Sequence, residues 1–335
     1  MKRWGVTLII AALAAGCLIG CKDKEEDTSS IVVVSPHPNG FIKPLIHEFE
    51  NSTGIEVRMI ECGTADAIDK VAEDDDVDIM WGGSVLTVGP FSDLFYQYET
   101  PNEKYFKDEY KASDIACTFF SDVPSVIIIN NDMIGGKKIK GYADLLDSDL
   151  VGKIAFANPA KSSSSFEHLV NMLYAMGGGD PEKGWDYVGK FTKSLSGNLL
   201  DSSSMVYEGV ANGRYAVGLT FEEAAVTMLK SDKHVSIIYM DEGVVSTPDG
   251  IYINKNSKKI DKCKKFVDFM TDRNTQIYIA QTLGRRSVRI DVEASGLVLP
   301  KNDINNITVD KKTVTENKDK WIAKFKDIYE EGIDG

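Results

Sequence analysis

Residues 31 to 34, Ile-Val-Val-Val, run apolar without interruption between Ser30 and Ser35. A strand with one wet face alternates in polarity, so an unbroken apolar run of this length belongs to a strand buried on both faces. Helical spacing follows, with Phe41, Leu45 and Phe49 on one face and Pro44 tolerated in the early turns, until Asn-Ser-Thr-Gly at 51–54 stops it. Residues 55–61 alternate as a strand, 64–73 carry a helical pattern, and 77–81 read as a third strand. Strands and helices in turn predict a parallel α/β sheet covered by helices. The style repeats from "KIAFANP" (153–159) through two helical segments to "YAVGLTF" (215–221) and "VSIIYMDEG" (235–243), without a sequence repeat of fixed period.

Two segments between these halves, "DVPSVIIIN" (122–130) and "TPDGIYIN" (247–254), are too apolar for surface linkers. They read as strands crossing between lobes. The expected fold class is therefore α/β, with two α/β lobes joined by two crossing strands. Lobe 1 takes residues 31–121 plus 248–335, and lobe 2 takes 122–247. Helical patterns at 258–272 and 274–283, the basic "GRRSVR" (284–289) and a charged, aromatic helix near the C-terminus complete the chain.

The N-terminus begins with Lys2 and Arg3, continues apolar from Trp4 to Leu13, and then breaks into small residues, the pattern of an export signal over residues 1–20. Leu18-Ile19-Gly20-Cys21 resembles a bacterial lipobox, which makes Cys21 the expected lipidated residue, with Cys17 a second candidate. Several acyl chains, at about 0.8 kcal/mol per buried CH₂, hold a protein on a membrane, and the charged residues 21–30 then serve as a tether. The formal charge is −13, two units more negative once Lys2 and Arg3 are removed. That excludes nucleic acid as a partner. Cys62, Cys117 and Cys263 form no C-x-x-C pair, so neither a zinc nor a redox motif is expected.

In open α/β sheets ligands sit beyond the carboxyl ends of strands. The residues there share one chemistry. Ser35, Pro36 and His37 follow the first strand, Gly63 and Thr64 the second, and Gly82, Gly83 and Ser84 the third. In the second half, Ser162, Ser163, Ser164 and Ser165 precede a helical pattern, as do Asp201, Ser202 and Ser203, while Thr220, Glu222 and Glu223 follow a strand. Ser164 and Glu167 fit the S-x-x-E capping box. One cap uses one hydroxyl, so four consecutive serines point to an anion held at a helix N-terminus. Glu222 and Glu223 suit the hydroxyls of a polyol, or alternatively a solvated helix start. His37, fixed between two prolines, is placed to donate to an anion or bind a metal. His47 and His234 read as surface residues and His168 as a packing residue. Arg286 is a candidate phosphate clamp, with a surface salt bridge as the stronger expectation. An enzyme is the competing class, but G-x-S-x-G, H-E-x-x-H, a P-loop and G-x-G-x-x-G are absent from the sequence. No cofactor is expected.

The stretches "VVSPHPNGFIKPLIHEFENSTGIEV", "DIMWGGS", "DVPSVIIIN", "GYADLLDSDLVGKIAFANPAKSSSSFEHLVNMLYAMGGGDPEKGWDYV", "VYEGVANGRYAVGLTFEEA" and "TPDGIYI" resemble the extracellular solute-binding proteins of ABC importers, in the ferric-iron-binding-like family. Among these the chain is most similar to the group that includes hexose-phosphate-binding proteins. The resemblance implies a monomeric, bilobal periplasmic-binding-protein fold that closes by hinge motion over a small phosphorylated solute and delivers it to an importer permease. Ferric relatives carry adjacent tyrosines after the strand that here ends in "TFEE", and no Tyr-Tyr pair occurs in this chain. An iron ligand set, the alternative, would fall on His37, Glu222 and Glu223; a secreted phosphate-ester hydrolase is the more distant one.

Overall fold

The structure is a computed structural model that describes residues 30–111 and 115–334. The expected lipidation site Cys21, its alternative Cys17 and the tether up to residue 29 lie outside the described residues.

The first half lays down β1 (Ser30–Ser35), α1 (Asn39–Thr53), β2 (Glu56–Glu61), α2 (Thr64–Glu73), β3 (Ile79–Ser84), the short α3 (Val85–Val88) and β4 (Phe95–Tyr96). β1 pairs in parallel with β2 and β3. The unbroken apolar run is explained by two helical layers. Ile31 and Val33 join Phe41, Leu45, Phe49 and Phe266 in one cluster, whereas Val32 and Val34 join Ala67, Ile68 and Val71 in another. Each such side chain taken out of water contributes about 1.5–3 kcal/mol, so a polar residue in β1 would cost the fold on either face.

β5 (Thr118–Asn130) is buried along its whole length and crosses to the second half. There follow β6 (Ile154–Ala157), α4 (Ser163–Met176), α5 (Trp185–Leu195), β7 (Leu199–Leu200), α6 (Ser203–Ala211), β8 (Val217–Phe221), α7 (Glu222–Lys230) and β9 (Val235–Ile238). The chain returns along β10 (Ser246–Asn254) and ends in α8 (Ile260–Thr271), α9 (Arg273–Ile277), β11 (Arg286–Ser287) and α10 (Lys311–Asp334). The sheet order is β2-β1-β3-β10-β5-β8-β6-β7. It is mixed, where the sequence pattern predicts a parallel sheet. β10 runs antiparallel to both β3 and β5, and β5 antiparallel to β8 and β9, because strands that cross between halves and return must oppose one another. β5 pairs with β10 through Pro124 and with β8 from Ser125 onward, which places the crossover at that step.

Two expectations change in detail. The 274–283 segment is α-helical only in α9, and continues as a π-helical turn over Tyr278–Leu283. The C-terminal helix, grouped by sequence with lobe 1, touches both halves. Trp321 and Phe325 of α10 pack on Tyr174 and Phe156 of the second half, while Lys318 Nζ donates to the Thr87 carbonyl of the first (2.9 Å).

Candidate functional site

A cavity of about 860 Å³ opens between the two halves. Its wall is built where strands end and helices begin. Ser35, Pro36 and His37 lead into α1, Gly63 and Thr64 start α2, Ser162 to Ser164 start α4, Ser202 to Ser204 start α6, and Glu223 lies in the first turn of α7. A helix N-terminus presents unpaired N–H groups and a partial positive charge. Several of them therefore face one volume.

The starts of α4 and α6 are built alike. Ser162 caps α4, its hydroxyl accepting from the Ser165 N–H (3.4 Å) and lying 3.1 Å from the Ser164 hydroxyl. Ser202 caps α6 in the same way, accepting from the Met205 N–H (3.4 Å) with the Ser204 hydroxyl 2.9 Å away. The residues just before the two caps, Lys161 and Asp201, form an ion pair at 2.6 Å that holds the helix starts side by side. Ser163 reaches the other half, its hydroxyl 2.9 Å from Thr87 Oγ1 and 3.5 Å from Ser84 Oγ.

Farther in, charge replaces hydroxyls. Arg285 is 3 % exposed and its Nη1 donates to Asp249 Oδ2 (2.9 Å), while Nη2 lies 3.6 Å from Glu223 Oε2. His37 Nε2 sits 3.3 Å from Asp249 Oδ2 and 3.5 Å from Arg285 Nη1. Burial first, and Arg285 second, drive the His37 pKa well below its usual value. The ring is neutral near pH 7, and its contact with Asp249 is not an ion pair. Glu167, buried below Ser84 and Ser163, is pushed up to about 8 by burial. Burial also raises Glu223 and Asp249, against the pull of Arg285. Three buried polar atoms of this wall have no hydrogen-bond partner: Glu223 Oε2, Arg285 Nε and Thr247 Oγ1.

Gly82 and Gly83 adopt φ of 115° and 91°. A Cβ on Gly82 would lie 2.7 Å from His37 Nε2, and one on Gly83 would lie 2.9 Å from Val88 Cγ2. Only glycine lets the chain pass this close beneath His37.

Residues 44–305 match the family of bacterial extracellular solute-binding proteins. The chain belongs to that family. The fold of this solute-binding protein is the bilobal periplasmic-binding-protein fold, shared with many solved structures, among them the following three. The periplasmic binding protein P5PA superposes with a TM-score of 0.81 at 18 % identity, over 90 % of this chain and 99 % of that one. AfuA from Actinobacillus pleuropneumoniae, with exogenous fructose-6-phosphate bound, gives 0.79 at 20 % identity over 90 % and 98 %. Iron-bound HitA from Pseudomonas aeruginosa gives 0.73 at 17 % identity over 89 % and 99 %. No curated protein matches the sequence.

Of the sequence-predicted residues, this solute-binding protein brings Ser35, His37, Thr64, Gly83, Ser84, Ser162, Ser163, Ser164, Asp201, Ser202 and Glu223 to the cavity wall. Three do not reach it. Ser165 is turned into the core, its hydroxyl unbonded, because it is the third residue of the helix and faces the sheet. Thr220 is still within β8, where its carbonyl is 2.8 Å from His168 Nε2. Glu222 points away from the cavity, bound by Arg286 through two hydrogen bonds of 2.8 and 2.7 Å and by the Tyr239 hydroxyl at 2.5 Å. The capping box is also displaced. The helix starts earlier than Ser164, so Ser162 is the cap and Glu167 faces inward. Arg286 is neither a clamp nor a surface residue: it is 4 % exposed and spans the two halves. The sequence reading passed over Arg285, Asp249 and Thr247. Asp249 had a visible signal, an acid inside a strand otherwise read as wholly buried. Among the histidines, His47 and His234 are exposed, while His168 is buried between the Tyr142 hydroxyl and the Thr220 carbonyl.

Proposed function

We propose that this extracellular solute-binding protein is anchored through a lipid on Cys21 and serves an ABC importer, closing its lobes over a small phosphorylated solute such as a sugar phosphate and performing no chemistry on it. Residues 31–121 with 248–310 form one lobe and 122–247 the other, with α10 bridging them. The observation that carries the reading is the pair of serine-capped helix starts facing one interlobe cavity, where N–H groups and hydroxyls hold a phosphate without a dedicated cation. AfuA, of the same fold, has exogenous fructose-6-phosphate bound, which supports a sugar phosphate as the ligand class.

A ferric reading draws on the likeness to HitA. It has weaker chemical support. Glu222 is committed to Arg286, and among the described residues no group of three or more His, Cys, Asp and Glu side chains is arranged to hold a metal.

Cys62 provides the test. It lines the cavity and is partly exposed, whereas Cys117 and Cys263 are buried, all three being free thiols. Glucose 6-phosphate should protect Cys62 from a maleimide, and glucose or ferric citrate should not. Protection by ferric citrate alone would overturn the reading in favour of iron. Loss of the protein from the membrane fraction in Cys21→Ser checks the anchor.

A further inference from the structure

We infer that the solute carries an amine as well as a phosphate, and that Glu223, with Asp249 and Glu167 around it, forms an ammonium subsite at the inner end of the cavity. This rests on the phosphate reading above and adds a second charge to the ligand. The wall of the cavity holds seven carboxylates and only two cations, Lys161 and Arg285. Lys161 is spent on Asp201 at the serine-capped end. At the inner end a single guanidinium serves two carboxylates, Asp249 at 2.9 Å and Glu223 at 3.6 Å. Lys230, the other cation that Glu223 senses, donates to the Thr282 carbonyl and lies outside the cavity wall. His37 is neutral and burial raises Glu167, Glu223 and Asp249 alike, so Arg285 is the one cation of the described wall that faces these three carboxyls.

Acid excess alone would not define a site. The second observation is Glu223 itself, which is 3 % exposed and leaves Oε2 without a hydrogen-bond partner. A buried carboxyl oxygen left without a donor is costly. An ammonium supplies three donors and a second positive charge beside Arg285. A hydroxyl supplies one donor and no charge. Arg285 Nε and Thr247 Oγ1, also unpartnered, suit the hydroxyl or ring oxygens that join amine to phosphate in a polyol. The overall ligand is then a zwitterion, which also reduces the repulsion between a phosphate dianion and so acidic a cleft.

The experiment is calorimetry on the full chain at neutral pH with glucosamine 6-phosphate, glucose 6-phosphate and N-acetylglucosamine 6-phosphate, whose amine is capped and uncharged. The amine ester should bind about tenfold or more tighter than either of the others, the difference between a charge-assisted and a neutral hydrogen bond. Glu223→Gln should bring the three together. If that variant fails to fold, the wild-type comparison decides alone. Glucose 6-phosphate binding as tightly as the amine, or a preference that survives Glu223→Gln, overturns the ammonium subsite and leaves the phosphate reading standing. Binding of none of the three esters removes both.

Discussion

Arg286 and Glu222 join the two lobes by a buried, two-pronged ion pair (2.8 and 2.7 Å) beside the point where β5 changes partners. Their chain neighbours, Arg285 and Glu223, meet in the cavity wall, 3.6 Å apart. The outer pair sets the N-terminus of α7 against β11, which fixes where the inner pair can lie. Removing one partner strands a buried charge. Glu222→Ala should therefore cost about 3–5 kcal/mol in urea unfolding, and adding Arg286→Ala should recover part of that loss. Strictly additive single-site costs would mean that the pair does not act as a unit.

The two serine runs separate capping from binding. Ser162→Ala removes the oxygen that accepts from the Ser165 N–H and should destabilise the protein by about 1 kcal/mol. Ser164→Ala should stay within about 0.5 kcal/mol of wild type, because its hydroxyl bonds only to Ser162. Equal melting temperatures for the two variants would contradict the assignment of Ser162 as the cap.

Glu167 makes stability depend on pH above neutrality. In the unfolded chain its carboxyl ionises above its ordinary value of 4.5, whereas burial holds the proton in the folded state up to about 8. The folded protein binds more protons between those values, so stability falls as pH rises, by at most about 1.4 kcal/mol per unit. His168 acts in the opposite sense and lower down. Burial lowers it from 6.5 to about 4, so the unfolded chain takes the proton first and stability falls as pH drops through that interval. Between 6.5 and 8 Glu167 is not opposed by His168, and the melting temperature should decline. Glu167→Gln should reduce that slope. Burial also raises Glu222, Glu223 and Asp249, so some slope should persist, but an unchanged one would show that Glu167 is ionised in the native protein.

The elements were legible because burial dictates their patterns. Continuous apolar runs marked β1 and the inner part of β5. What sequence could not convey was direction. Arg285 and Arg286 are adjacent on an extended segment, so their side chains point to opposite sides, and the one reaching the cavity is decided by the pairing of β11 with β5. Glu222 and Glu223 begin a helix about 100° apart, and Arg286 and Tyr239, both distant in sequence, determine that Glu222 turns away. The start of α4 was ambiguous for a related reason: four consecutive serines offer several caps, and only the turn from Asn158, whose carbonyl accepts from the Ser162 N–H (3.0 Å), places the first helical residue.

The central claim, that the serine-capped helix starts hold a phosphate, is tested most directly by calorimetry of glucose 6-phosphate on wild type and on Ser164→Ala/Ser204→Ala, which keeps both caps. Each lost hydrogen bond to a charged group costs about 1.5–3 kcal/mol, or roughly ten- to a hundredfold in affinity. The account predicts a dissociation constant at least about a hundredfold weaker in the double variant, and little or no binding of glucose to either protein. Wild-type affinity in the double variant, or equal binding of glucose and its phosphate, would contradict it.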